Sequence, residues 1–431
     1  MSQPHRRAVL AAGLVASAAS AAHAAAPGTA SGAPPAATTD FAALARDEAY
    51  WAKVGAFYDR PKDVIQLESG QFGSMPRPVL MAYEQKLERV NREGTLYTRT
   101  TLPADQRAVR LKIAAMLGVG ADEIAFTRGG TESMQVLIGG YNKLKPGDAV
   151  LYADLDYDSM QTAMDWLGKR RGVKVVKIAL PEPASRQNLI DAYEAAFTAN
   201  PDVRMALVTH LSHRTGLIPP VKEIAEVAKR HNVDLLLDGG HALGQAEFRL
   251  PDLGVDFIGL NLHKWIQAPL GVGVVYIRRE RLTEIDPSMF EPEGTTIDAR
   301  SHTGTVNNGA ILAVADAIDF HQSIGLPAKA HRLRYLRDLW AERLRDDPRV
   351  QVLTPNDAAL HAGITSFRIK DKGSAQDVLG LKKALFEQHR IFTVERFGPA
   401  KGACIRVSPS FVNRPEDLDA LVKAVTTLAR A

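Results

Sequence analysis

From about residue 104 the chain alternates between stretches of helical apolar spacing and short continuous apolar runs. Val109, Ile113, Met116 and Leu117 recur every three or four positions, which predicts a helix over 104–117. A short strand is predicted at 123–127 and a helix opening on a threonine at 131–140. Apolar runs at 149–152, 173–178 and 205–208 have strand length. An amphipathic helix at 221–231 precedes the apolar run 233–237, and runs at 257–260 and 272–277 complete the series. Strands alternating with helices imply an α/β layer with a mostly parallel sheet. In such sheets ligands sit beyond the carboxyl ends of the strands, so the chemistry is sought just after each run.

After Arg281 the pattern changes. Long helices are predicted at 311–323 and 328–344, strands at 364–369 and 403–407, and a closing helix at 416–429. This is the pattern of a smaller α+β domain. Helical segments at 40–58 and 78–90 are expected to pack near it. The expected organisation is an N-terminal segment at 40–100, a large domain at 101–290 and a small C-terminal domain at 291–431.

The first residues stand apart from the fold. Arg6 and Arg7 precede an Ala-rich apolar run, 8–22, and an A-x-A site ends at Ala24. The run is too short and weakly apolar for a good membrane span. The arginine pair favours twin-arginine export over a Sec signal or a flexible basic terminus, with cleavage near Ala24, periplasmic delivery and the twin-arginine machinery as a partner. Residues 25–39, rich in Ala, Pro, Gly, Ser and Thr, form a predicted disordered linker. One cysteine, Cys404, excludes an internal disulfide, so the core alone must hold an exported protein together. With 45% hydrophobic residues and 53 Lys+Arg against 49 Asp+Glu, the chain is ordinarily globular and carries no basic cluster for nucleic acid. No membrane span is expected in the mature protein, and no metal-ligand spacing is visible.

Three segments carry candidate chemistry. Val233-Asp234-Leu235-Leu236-Leu237-Asp238-Gly239-Gly240-His241 ends a strand on an acid, two glycines and a histidine. Alone, Asp238 reads as a turn acid that satisfies loop amides. Asn261-Leu262-His263-Lys264-Trp265 also follows an apolar run, and apolar neighbours such as Ile258, Leu260 and Trp265 argue that Lys264 is not simply solvated. A partly buried lysine of lowered pKa is what imine chemistry needs. Thr127-Arg128-Gly129-Gly130-Thr131-Glu132-Ser133 joins a strand to a helix, where glycines and helix N-terminal amides can hold phosphate, although Thr131 also suits a plain N-cap. An imine lysine, an acid for a pyridine nitrogen and a phosphate cradle together suggest pyridoxal 5'-phosphate (PLP).

Here the chain resembles the class V aminotransferase family within fold type I PLP enzymes, nearest the isopenicillin N epimerase-like branch. The resemblance rests on Asn261-Leu262-His263-Lys264-Trp265, on Ala268-Pro269-Leu270-Gly271-Val272-Gly273 and on Asp238-Gly239-Gly240-His241-Ala242. It implies that Lys264 forms the imine with the cofactor and shuttles the α-proton, that Asp238 pairs with the pyridine nitrogen, and that His241 bonds the phenolic oxygen. Gly130 and Thr131 would hold the phosphate with His263 and Asn261. Tyr157 stands where an aromatic stacks on the ring, although relatives often have His there. Thr305 resembles the residue that reaches a neighbouring subunit's phosphate, which implies a homodimer. Arg406 resembles the clamp for the substrate α-carboxylate.

Two departures matter. His213 stands where relatives often have Asn, where it could tune the phenolic oxygen, act on substrate or support other site residues. Desulfurases of the family carry a loop cysteine within the stretch corresponding to 389–402. None is present there, and Cys404 reads as a packed thiol. The implied activity is PLP chemistry at the α-amino group or α-carbon of an amino acid or amino-acid-containing compound, the implied partner being a small-molecule amino acid or peptide-derived substrate. The alternatives are a PLP-dependent lyase or desulfurase, or a non-catalytic PLP-fold binding protein.

Overall fold

The computed structural model describes residues 40–288, 294–301 and 304–430. The expected export signal (1–24) and linker (25–39) lie outside the described residues. Two helices, α1 (Phe41–Ala45) and α2 (Glu48–Gly55), replace the single one expected over 40–58. Asp47 separates them because its carboxylate accepts the Tyr50 amide at 3.0 Å and so starts a second helix. The two-residue strand β1 (Ile65–Gln66) follows, then α3 (Arg77–Thr100) and α4 (Leu102–Leu117). α3 runs on to Thr100 rather than stopping near Val90, interrupted only where Gly94 takes φ 53.

Seven strands make the central sheet: β2 (Ile124–Thr127), β3 (Ala149–Ala153), β4 (Lys174–Ile178), β5 (Val203–Thr209), β6 (Asp234–Asp238), β7 (Phe257–Asn261) and β8 (Gly273–Ile277). Their order is β2-β8-β7-β6-β5-β3-β4, and only β8 runs against its neighbours. Helices α5 (Gly130–Gly140), α6 (Asp158–Arg171), α7 (Arg186–Ala199) and α8 (Val221–Arg230) lie between the strands in sequence. Apolar clusters cover both faces. Leu235 and Leu237 of β6 point into one cluster and Leu236 into the other, which is why the strand reads as an unbroken apolar run. The sheet and its helices have the α/β architecture expected from the sequence.

The chain continues through α9 (Asn308–Ile324) and α10 (Leu326–Arg345) into a four-stranded antiparallel sheet of order β12-β13-β10-β9. Its strands are β9 (Val350–Val352), β10 (Thr365–Ile369), β12 (Val394–Arg396) and β13 (Cys404–Val407). The short β11 (Ile391–Phe392) pairs instead with β1. α11 (Ala375–His389) and α12 (Pro415–Leu428) cover this part. Hydrophobic packing divides later than the pattern suggested. Ala310 to Ile324 of α9 bury in the central-sheet cluster, which also takes Ala362, Ile364, Phe411 and Val412, while the second core includes Leu336 and Trp340 of α10. Among the described residues no helix is long and apolar enough to cross a membrane.

Two features of this fold position the site. Register sets Thr209 and Asp238, the last residues of β5 and β6, beside Gly259 in the middle of β7. Residues 67–69 lie along the end of β13, with the Ser408 amide donating to Leu67 and the Ser69 amide donating to Ser408. An N-terminal segment thus reaches the same cleft as a C-terminal strand.

Candidate active site

A cavity of about 630 Å³ opens beyond these strand ends. It is lined by Gly130, Thr131, Tyr157, His213, Asp238, His241, Asn261, His263, Lys264 and Arg406, which brings together every sequence-predicted site residue except Thr305. Thr305 is exposed and does not line this chain's own cavity. A larger cavity, about 1160 Å³, lies between Tyr58, Gln267 and Arg414 and contains none of the predicted residues, so size does not locate the chemistry.

Lys264 Nζ lies 3.1 Å from His241 Nε2. The opposite ring nitrogen, Nδ1, faces Trp265 Nε1 at 3.4 Å. An indole N–H can only donate, so Nδ1 accepts and the proton of the neutral ring sits on Nε2. Burial and the neighbouring Lys264 hold the His241 pKa well below that of free histidine, which keeps the ring neutral. Nε2–H therefore donates towards Lys264, a geometry satisfied by an uncharged amine. Burial lowers the Lys264 pKa to about 8, with Asp238 opposing the shift. Both arguments describe an amine that loses its proton readily.

Asp238 is buried at the end of β6, and its Oδ1 accepts the Gly240 amide at 2.9 Å. Among the described residues no protein donor meets Oδ2, and Asp238 lines the cleft. Burial raises this carboxyl's pKa, while the Gly240 amide and Lys264 oppose it. Gly240 cannot be replaced without cost, because a Cβ there would stand 2.9 Å from Asp238 Oδ1 and 3.0 Å from Asn261 Nδ2. Beside Asp238, Thr209 donates to Asp156 Oδ1 at 2.7 Å, and burial raises the Asp156 pKa to about 7.

The glycine turn differs in detail from expectation. The Gly130 amide donates to Asn261 Oδ1 at 2.7 Å, so it is not free for a phosphate. Asn261 acts as the cap that ties β7 to α5. What remains for an anion is the rest of the first turn: no N-cap side chain serves α5, and the Thr131 and Glu132 amides have no intrahelical partner by position. Thr131 is exposed there. His263 Nδ1 faces the Val272 carbonyl at 3.3 Å, and burial together with Lys264 lowers its pKa to about 4.

Tyr157 caps the start of α6 and meets the His213 ring edge-on, with centroids 4.9 Å apart. His213 is buried with Nε2 3.2 Å from Asp158 and Nδ1 without a partner. Burial dominates its pKa, which falls to about 3 despite Asp158.

The largest departure concerns Arg406. Its guanidinium is buried and already holds a carboxylate: Nη2 donates to Glu68 Oε1 at 2.5 Å, and Nε donates to Oε2 at 3.3 Å. Nη1 donates to the His213 carbonyl at 2.8 Å. Ser408 Oγ and the Gln71 amide fix Glu68 as well, each at 2.8 Å. Arg406, the expected clamp for a substrate carboxylate, is thus paired with Glu68 within the chain. Glu68, Arg396, Thr209 and the donor role of Trp265 are absent from the sequence reading. No local motif marks Glu68 or Arg396.

The aminotransferase class-V family profile matches residues 73–421. The chain belongs to the class-V aminotransferase family. Isopenicillin N epimerase of Streptomyces clavuligerus is 27% identical over 384 residues, covering 85% of this chain and 95% of the relative. A probable cysteine desulfurase of Halalkalibacterium halodurans is 24% identical, covering 84% and 92%. The solved cysteine desulfurase of Thermococcus onnurineus shares the fold, with a TM-score of 0.72 at 22% identity over 85% of this chain and 95% of that one. This class-V protein is therefore a PLP enzyme of fold type I. Its residues fit the cofactor: an amine of lowered pKa, an acid that bonds the Gly240 amide through one oxygen and a helix N-terminus with first-turn amides beyond the one that Asn261 takes line one cavity.

Proposed function

We propose that this class-V protein uses Lys264 to hold PLP covalently and acts on the α-amino group or α-carbon of an amino acid or amino-acid-containing compound, as an aminotransferase or epimerase rather than a desulfurase. The observation that carries this reading is the Lys264–His241 contact, with the His241 proton on Nε2, in one cavity with Asp238. When bound, PLP supplies an electron sink for charge developing at the substrate's α-carbon. Asp238 would pair with the pyridine nitrogen, whose positive charge would favour the ionised carboxyl against its burial. His241 would donate from Nε2 to the phenolic oxygen. The free first-turn amides of α5 and Thr131 would hold the phosphate. Lys264, an amine whose pKa is lowered to about 8, would hold the cofactor and could take and return the α-proton.

Desulfurase chemistry has relatives in its favour, but it needs an accessible thiolate. The one cysteine, Cys404, is fully buried, its Sγ 3.7 Å from the Arg214 carbonyl, and burial raises its pKa to about 11. The deciding experiment is a screen of the purified protein against amino acids. It reads changes in cofactor absorbance and assays for oxo-acid, inverted amino acid and sulfide. Sulfide release that persists in Cys404→Ser would leave a lyase as the remaining reading, and no response to any amine would favour a binding protein.

We further propose a homodimer in which Thr305 reaches the partner's phosphate. Thr305→Ala is expected to weaken cofactor retention severalfold without altering the cofactor's attachment to Lys264, as read by dialysis. Unchanged retention would remove Thr305 from the site. Export through Arg6 and Arg7 is proposed on the sequence alone. Changing both to Lys is expected to hold the protein in the cytoplasm on cell fractionation, and unchanged delivery would argue for another route.

A further inference from the structure

Behind the loop that carries Lys264 lies a second lysine that the proposed chemistry does not use. Lys329 sits in the first turn of α10, and none of its surface is exposed. Its Nζ donates to the Trp265 carbonyl and lies 3.4 Å from His321 Nδ1 and 5.0 Å from the centre of the Phe411 ring. Among the described residues no carboxylate pairs with it. Burial holds its pKa well below that of an ordinary lysine, and the positive end of the helix dipole also disfavours a cation there. His321, the titratable group that faces it, is buried as well and is kept neutral by burial and by Lys329 itself. A fully buried amine is costly where a methionine of similar length would pack without a polar group. Its presence calls for something that its N–H supplies.

The N–H anchors Trp265. Neither Trp265 nor Lys329 lines the cleft, so the anchor acts from outside it. Backbone closes on the same carbonyl, since Gly244 takes φ 82 and a Cβ there would stand 2.9 Å from the Trp265 oxygen. The Trp265 indole then meets His241 Nδ1 at 3.4 Å, and His241 Nε2 lies 3.1 Å from Lys264 Nζ. At 3.4 Å the indole bond is at the far end of hydrogen-bonding range, so a further few tenths of an ångström would break it. The His241 carbonyl is held separately by Gln245 at 2.9 Å. The anchor on Trp265 therefore decides whether the two rings meet.

We propose that Lys329 is a positioning residue: from outside the cleft it holds Trp265 against His241 and so keeps the His241 proton on Nε2, facing Lys264 and the cofactor's phenolic oxygen. This rests on the assignment of the cleft around Lys264 as the PLP site. Without the indole N–H, His241 is free to carry its proton on Nδ1 and to turn a lone pair towards the phenolic oxygen, which takes a donor away from the cofactor.

The test is a pH titration of the cofactor-loaded protein, followed by the visible absorbance of PLP attached to Lys264. A donor on the phenolic oxygen draws off negative charge and lets the neighbouring imine nitrogen lose its proton at lower pH. In Lys329→Met the midpoint is expected to rise by roughly half to one pH unit, the size of one lost hydrogen bond. Trp265→Phe should raise it likewise, and the double variant should go no further than the larger single shift, because both changes break one link. Lys329→Gln, which keeps an N–H one bond short of its acceptor, should give a smaller rise. The other titratable groups around His241 and Lys264, namely Asp238, His213, Arg396, Arg406 and Glu68, are the same in every variant, so differences between variants report on the link. An unchanged or lowered midpoint in Lys329→Met overturns the proposal, and so does a double variant whose shift equals the sum of the two. If the Met variant does not fold, an unchanged midpoint in Lys329→Gln overturns it by itself. Borohydride labelling is read alongside: an adduct on another lysine is a failure of the cofactor assignment, whereas an adduct on Lys264 with an unmoved midpoint is a failure at Lys329.

Discussion

Lys264→Ala is expected to abolish the borohydride-stable attachment of the cofactor and to lower turnover by at least the roughly 10²- to 10⁴-fold associated with a lost proton-transfer group. Peptide mapping of the reduced wild type should place the adduct on Lys264, and an adduct on any other lysine would sink the assignment. The same residue predicts a pH dependence. Only the uncharged amine attacks an aldehyde, and the folded-state pKa is about 8 rather than the ordinary 10.5. The rate at which cofactor-free protein takes up PLP should therefore rise through pH 8 and level off, instead of climbing towards 10.5. The sign for stability follows from proton counting. Between pH 8 and 10.5 the unfolded chain binds more protons at Lys264 than the folded one does. This group's contribution to the stability of the cofactor-free protein thus increases with pH across that window.

Glu68→Ala is expected to be the most destabilising single change at the site. The pair has almost no exposure, with the Arg406 side chain 1% and the Glu68 side chain 4% accessible. Removing the carboxylate leaves a buried guanidinium with only the His213 carbonyl as its partner, a change that costs about 3–5 kcal/mol in comparable buried pairs. Glu68→Gln keeps the shape and an acceptor for Arg406, so it should cost less than Glu68→Ala. Denaturant unfolding of the cofactor-free proteins reads both. A loss under about 1 kcal/mol for Glu68→Ala would mean that Arg406 finds another partner or water.

The chemistry that follows strands was legible in the sequence because strand ends are marked locally. An apolar run, an acid and two glycines announce Asp238, and the run before Asn261 announces Lys264. The buried pair of Glu68 and Arg406 was not legible, because its halves are 338 positions apart and neither sits in a motif. Glu68 reads as an ordinary surface acid until residues 67–69 align along β13. The Gly130 amide was misassigned for a related reason, since its acceptor is the Asn261 side chain from another strand. Among the helices, α7 escaped notice although its buried positions Leu189, Tyr193, Ala196 and Phe197 have helical spacing, because Tyr and Ala weigh little in an apolar pattern. α6 buries only Met160, Met164 and Leu167 among many polar residues.

The cleft draws on Glu68 near one end of the described chain and Arg406 near the other, with the glycine turn, Asp238 and Lys264 between them. No partial chain can own it. While the polypeptide is still being synthesised, the lysine and its acid emerge well before the strand that engages Glu68, and the cleft waits for that strand. Capture of the cofactor in its finished pocket is thus an event of the nearly completed chain, after most of the protein has left the ribosome.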